Sequence, residues 1–139
     1  MRRTPALALS LMMCTASYAH SQTKLNRGLQ LDATGSVRIA NLVGSVKVTG
    51  WKRDSVAVRG VLGKGNQFFM GGGHGGMKLF IEGADERNPA PSEIEVMVPM
   101  GAKVWVKTAT AKIDVTGVTG SLDLYVVSGD ISVNGNPAD

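Results

Sequence analysis

Two histidines and a handful of carboxylates are the residues of this 139-residue chain with the means to do chemistry. His74 lies between Gly71-Gly72-Gly73 and Gly75-Gly76, and such a run lets backbone N–H groups approach a phosphate. It lacks the Gly-Lys-Ser/Thr ending of a phosphate-binding loop, so it reads as a plain loop. If the amino terminus is cut after Ala19, His20 and His74 form the one histidine pair able to hold copper, and two imidazoles with no further ligand specify such a site poorly. Calcium-binding nonapeptide repeats need Gly-Gly-x-Gly-x-Asp in successive turns, whereas Asp130 is the single turn aspartate of that kind. Glycoside hydrolysis needs two carboxyls across a cleft, one of them kept protonated by burial. Asp85-Glu86, Glu93/Glu95, Asp114 and Asp123 instead alternate with apolar residues and should face water. With two histidines in the chain, no Ser-His-Asp arrangement can be built around them. The reading is of no catalytic residue, no metal and no cofactor.

Residues 1–19 have the form of a secretory signal peptide: Arg2-Arg3, an apolar stretch from Ala6 to Met13, and small residues at Ser17 and Ala19. The mature chain is expected to begin at His20 and to reside in the periplasm, on the outer membrane surface or outside the cell. Cys14, the only cysteine, leaves with the signal, which removes disulfides, zinc-thiolate sites and thiol nucleophiles from consideration. A lipid anchor on Cys14 would want a small residue before it, and Met13 stands there. Loss of Arg2 and Arg3 lowers the formal net charge from +4 to +2. That small charge, dispersed along the chain, excludes nucleic acid as a partner. After the signal no apolar run reaches the roughly 20 residues needed to span a bilayer.

The elements that position these side chains announce themselves by a nine-residue beat. The doublets Val104/Val106, Ile113/Val115, Leu122/Leu124 and Ile131/Val133 recur every nine residues, and Val37/Ile39, Val46/Val48 and Val56/Val58 precede them. Apolar residues two apart are the mark of a strand with one buried face. Glycines at 44, 50, 117, 120, 129 and 135 fall between doublets, where the chain turns. A third apolar set, Leu42, Trp51, Ala109, Val118 and Val127, is expected to fill corners. With no helical stripe in the sequence, the mature chain should be all-β. The expected architecture is a parallel β-solenoid with about two short strands per coil; the alternative is an antiparallel β-sandwich.

Charge favours the first. In a hairpin meander Lys107 would face Lys112 and Asp114 would face Asp123, an unfavourable arrangement across a ladder. In coils of about 18 residues, Lys112 meets Asp130, Trp105 meets Asp123, Asp114 meets Ser132 and Lys107 meets Tyr125. The expected layout is a lead segment over 20–30 and a β-repeat domain over 31–139, with a glycine-rich loop at 60–76 that leaves the core and a turn region from Asp85 to Ser92. A last strand signal, Ile94, Val96 and Val98, stops at Pro99.

Gly44-Ser45-Val46-x-Val48, Val98-Pro99 followed by Gly101-Ala102-x-Val104-x-Val106, and Ser128-Gly129-Asp130-Ile131-x-Val133 together resemble the putative bacterial adhesin family of exported β-solenoid, or toast-rack-like, repeat domains. The resemblance covers roughly Leu31 to Gly135. It implies an all-β domain of the cell envelope with no catalytic residues to carry over. Two departures stand out. Thr110-Ala111-Lys112 replaces a Ser-Gly-Asp turn, and the chain stops at Asp139, where the family usually adds coils, which implies either a truncated product or a last rung covered by something else.

From the 18-residue register, Trp105 faces outward with Lys103, Lys107, Asp123 and Tyr125 around it. An outward tryptophan beside a tyrosine is a platform for a sugar ring or a protein of the cell surface. The competing arrangement lays Phe68-Phe69-Met70 over Trp105. The strand at Ile131 to Val133 should expose unpaired backbone groups and invite self-association. Three functions compete: a non-catalytic adhesin or structural domain of the cell envelope, a periplasmic module binding a glycan or protein, and, least supported, a polysaccharide-cleaving enzyme.

Overall fold

A computed structural model describes residues 23–83 and 87–138. The expected signal peptide with Cys14, the residue His20, and the carboxylates of Asp85 and Glu86 lie outside them. The described residues form eleven strands and no helix, and so no helix long and apolar enough to cross a membrane.

The strands are β1 (Thr23–Gln30), β2 (Ser36–Ala40), β3 (Gly44–Trp51), β4 (Ser55–Leu62), β5 (Gln67–Gly73), β6 (Gly76–Glu82), β7 (Ser92–Pro99), β8 (Lys103–Thr108), β9 (Lys112–Thr116), β10 (Leu122–Val126) and β11 (Ile131–Asn134). They build two mixed sheets. Sheet A runs β1-β4-β7-β3-β9-β11 and sheet B runs β10-β8-β2-β6-β5. From β7 onward the chain alternates B, A, B, A, so that each pair of strands lays one parallel rung on the previous one. The step between rungs is 18 residues: Val104 pairs with Leu122, and Ile113 with Ile131. Trp105 stands beside Asp123, Lys107 beside Tyr125 and Asp114 beside Ser132, as the charge argument requires. Ile113 N–H donates to Asp130 O at 2.9 Å and brings Lys112 alongside; the ion pair Lys112 makes is with Asp114 on its own strand, at 3.8 Å.

The doublets point inward wherever a neighbour covers them. Val37, Ile39, Val46, Val48, Val56, Val58, Val106 and Ile113 are at most 1% exposed, and they form one core between the sheets. Each such burial contributes about 1.5–3 kcal/mol. At the far end the same rows run out: Ile131 and Val133 stand in register with Ile113 and Val115, yet are 43% and 41% exposed. Of the expected corner residues Val118 is buried, but Leu42 and Val127 face solvent.

Several expectations need correction. A purely parallel coil is replaced by mixed sheets, because β4 pairs antiparallel with both β1 and β7, and β5 antiparallel with β6. The segment 60–76, expected to leave the core, instead holds the end of β4 and all of β5. Phe68 and Met70 are turned toward the core, and His74-Gly75 makes a two-residue reversal into β6. So short a connection can join only antiparallel strands. His74 O accepts from Asp32 N at 2.8 Å, which ties this turn to the connection between β1 and β2. The lead segment 20–30 contains β1, in register with β4 over eight pairs from Thr23↔Leu62 to Gln30↔Ser55. Its strand is held by backbone pairing more than by burial, since Leu25 alone of its side chains is buried.

A buried polar hub fastens β7 where it enters sheet A. Ser92, fully buried, accepts at Oγ from Gly63 N (2.8 Å) and from Asn66 Nδ2 (2.7 Å), and its carbonyl accepts from Asn41 Nδ2 at 2.9 Å. These bonds satisfy polar groups that would otherwise be costly to bury. Elsewhere the rungs approach so closely that a Cβ on Gly50 would overlap the Gly117 carbonyl.

Candidate functional site

The two sheets turn very different outer faces to solvent. Across sheet A the register sets Arg59 beside Glu95, Glu95 beside Lys47 and Lys47 beside Asp114, a row of alternating sign. Opposite charges side by side on a ladder are favourable. Glu93, one residue pair away, joins it opposite Ser45.

Sheet B carries no such alternation. Because Val104 and Val106 are buried, Lys103, Trp105 and Lys107 of β8 point outward. The register extends this row on both sides: Asp123, Trp105, Arg38, Lys78 and Gly71 lie side by side on β10, β8, β2, β6 and β5. The next row is Tyr125, Lys107, Ala40, Phe80 and Phe69. Trp105 is half-buried, while Tyr125 is 56% exposed. Phe69 and Phe80 stack with ring centroids 4.9 Å apart and planes 17° from parallel. That contact keeps Phe69 on β5, three strands away from Trp105, so the Phe68-Phe69-Met70 segment does not lie over the tryptophan.

Depressions flank Arg38. One of about 460 Å³ lies toward Trp105 and is bordered by Ser36, Lys103, Ser121 and Asp123. Another, of about 550 Å³, lies toward Lys78 and is floored by Gly71, Gly72 and Gly76. A third of about 200 Å³ lies between Trp105, Lys78 and Phe80. The floor of the second is open at Gly71, where a Cβ would meet no heavy atom within 4 Å.

All five residues expected to form a platform, Lys103, Trp105, Lys107, Asp123 and Tyr125, lie on this one face. Sequence reasoning missed Arg38, Lys78, Phe69 and Phe80. Arg38 and Lys78 each sit between two members of an inward doublet, which marks them as outward, but nothing in their spacing reveals that β2 and β6 adjoin β8. The remaining chemical candidates do not converge. Asp114, Glu93 and Glu95 are on sheet A, His74 is at the β5–β6 turn, and among the described residues no group of three or more His, Cys, Asp or Glu is placed to hold a metal.

No protein-family model and no curated protein sequence matches the chain. Solved structures do resemble it. A putative cell adhesion protein from Clostridium sporogenes superposes with a TM-score of 0.53 at 10% identity, over 84% of this chain and 65% of the other. A putative adhesin from Bacteroides fragilis gives 0.47 at 15% identity, over 83% and 55%. Another from Parabacteroides distasonis gives 0.40 at 11%, over 81% and 57%. The chain thus spans less than two thirds of each of these relatives. At so low an identity the likeness is one of architecture, and this chain shares its two-sheet fold with the Clostridium sporogenes structure.

Proposed function

We propose that this chain is an exported, non-catalytic, adhesin-like domain of the cell envelope whose outer face on sheet B holds a glycan or an envelope protein. Its 18-residue parallel rungs serve as short solenoid coils that extend this face by one strand, β10 on β8. The observation that carries the reading is the contrast between the faces: sheet A balances its own charges, whereas sheet B gathers Trp105, Tyr125, Phe69 and Phe80 among cations beside open depressions. Aromatic surface of this kind is a recognition feature when a monomer leaves it open. The export signal in residues 1–19 and the fold shared with a putative cell adhesion protein support the location.

Trp105→Ala is expected to weaken binding to whole cells or isolated envelope polysaccharide by about tenfold or more, or about 1.4 kcal/mol. The melting temperature should change little, since the side chain is half-buried on an outer face. Unchanged binding would remove the platform.

A second role rests on a separate observation. Ile131 and Val133 continue interior rows into solvent on the last strand of sheet A. This end is proposed to associate with the same end of a second copy. Sedimentation equilibrium at rising concentration should show dimers, and Val133→Lys should abolish them; a strict monomer at every concentration sinks the idea.

A further inference from the structure

Building on the proposed binding role of sheet B, we infer that its ligand is an acidic glycan, a chain of sugars bearing carboxylates, laid across the strands over Trp105, Arg38 and Lys78. The face holds four cations, Arg38, Lys78, Lys103 and Lys107, against two carboxylates, Asp123 and Glu82. Those two acids stand on different strands at opposite sides of the patch, Asp123 beside Trp105 and Glu82 beside Gln67. In register beside these four cations stand Ser36, Trp105, Gly71, Tyr125, Ala40 and, for Arg38 and Lys78, one another, with no carboxylate among the pairs. Unlike Lys47 and Arg59 of sheet A, the cations of sheet B therefore have no opposite charge beside them on the ladder.

Geometry selects the shape of that ligand. Neighbouring strands lie about 4.8 Å apart, so Trp105, Arg38 and Lys78, adjacent on β8, β2 and β6, repeat at about that interval. An extended polysaccharide repeats its rings on a similar scale. Arg38 borders all three depressions, and its planar fork suits a carboxylate in two-point contact. Trp105 offers its ring to the apolar face of a sugar. Ser36, Ser121 and Asp123 around the 460 Å³ depression supply partners for hydroxyl groups. Asp123 is the feature that separates an acidic glycan from single-stranded nucleic acid, which also wants stacking and cations. A carboxylate next to the stacking ring accepts from the free hydroxyls of a sugar ring, which the linked deoxyriboses of single-stranded DNA do not offer.

The test is titration of the purified full chain with oligogalacturonate, with a neutral oligogalactan of equal length, and with oligothymidylate. Oligogalacturonate should bind at least about tenfold more tightly than the neutral chain. Raising sodium chloride from about 0.05 M to about 0.5 M should weaken that binding alone. Arg38→Gln and Lys78→Gln, both exposed positions, should each lower the affinity for oligogalacturonate by about fivefold or more while leaving any neutral binding and the melting temperature unchanged. Equal affinity for both glycans with silent Arg38→Gln overturns the acidic class yet leaves a glycan platform. No glycan binding, with cell binding still lost in Trp105→Ala, overturns the inference in favour of a protein partner. Oligothymidylate binding as tightly as oligogalacturonate overturns it too. Loss of the proposed function itself would show differently, as cell binding insensitive to Trp105→Ala.

Discussion

Gly44→Ala is expected to cost the domain about 3–5 kcal/mol, a large part of the roughly 5–15 kcal/mol that holds a small domain together. Gly44 has φ of +114°, where an L side chain costs about 1–2 kcal/mol. Its Cβ would also overlap the carbonyl oxygen of Ser92, with Ser92 N and C both at 2.8 Å. The carbonyl has nowhere to retreat. Ser92 is fully buried, its oxygen is held by Asn41 Nδ2, and its hydroxyl is engaged by Gly63 and Asn66. Shifting it breaks at least one buried hydrogen bond, a further cost of about 1–3 kcal/mol. Thermal or denaturant unfolding measures the loss, and Gly71→Ala is the control. Gly71 lies in open space without a positive φ, so alanine there should be neutral or stabilise by about 0.4–1 kcal/mol. Similar losses at both glycines would mean that the close contact of β3 with β7 does not govern stability.

The second large effect compares two isoleucines of one row. Ile113 is fully buried between Val46 and Ile131, and Ile113→Ala should destabilise by about 2–5 kcal/mol through lost burial and the cavity left behind. Ile131, the next residue in the row, is 43% exposed, so the same truncation should cost under about 1.5 kcal/mol in dilute solution. Unfolding curves for the two variants test this directly. Equal costs would mean that the last rung is covered. If the cost at Ile131 rises with protein concentration, the covering agent is a second copy, because association adds stability by mass action.

How much of this could be read from the chain itself differs from element to element. The doublets at 104, 113, 122 and 131 have a fixed step, and alternation plus the unfavourable placement of Lys107 and Asp114 in a hairpin leads to parallel rungs 18 residues apart. No such metre joins β2 to β8 or β3 to β7. Arg38 pairs with Trp105 and Lys47 with Glu95 across intervals that nothing local encodes. Consequently half of the sheet B face, Arg38 with Lys78 and the two stacked phenylalanines, was invisible to pattern reasoning. β5 was missed for another reason: Gly71, Gly72 and Gly73 weaken every strand signal, and it is the antiparallel ladder to β6 that makes the segment a strand. β1, polar along most of its length, shows the same dependence on a partner.

The position of β2 and β3 in the sheets bears on how the polypeptide acquires its structure. These early strands finish between β6–β7 on one side and β8–β9 on the other, so neither flank exists until later residues have been synthesised. A nascent chain released up to β4 has nothing parallel to zip against, and its hydrophobic edges must wait. Acquisition of order should then be slow and dominated by distant sequence partners, with a nucleus that includes residues as far along as Thr116. In linear arrays each unit adds onto its predecessor; here the oldest unit is the keystone, and the molecule closes around it last.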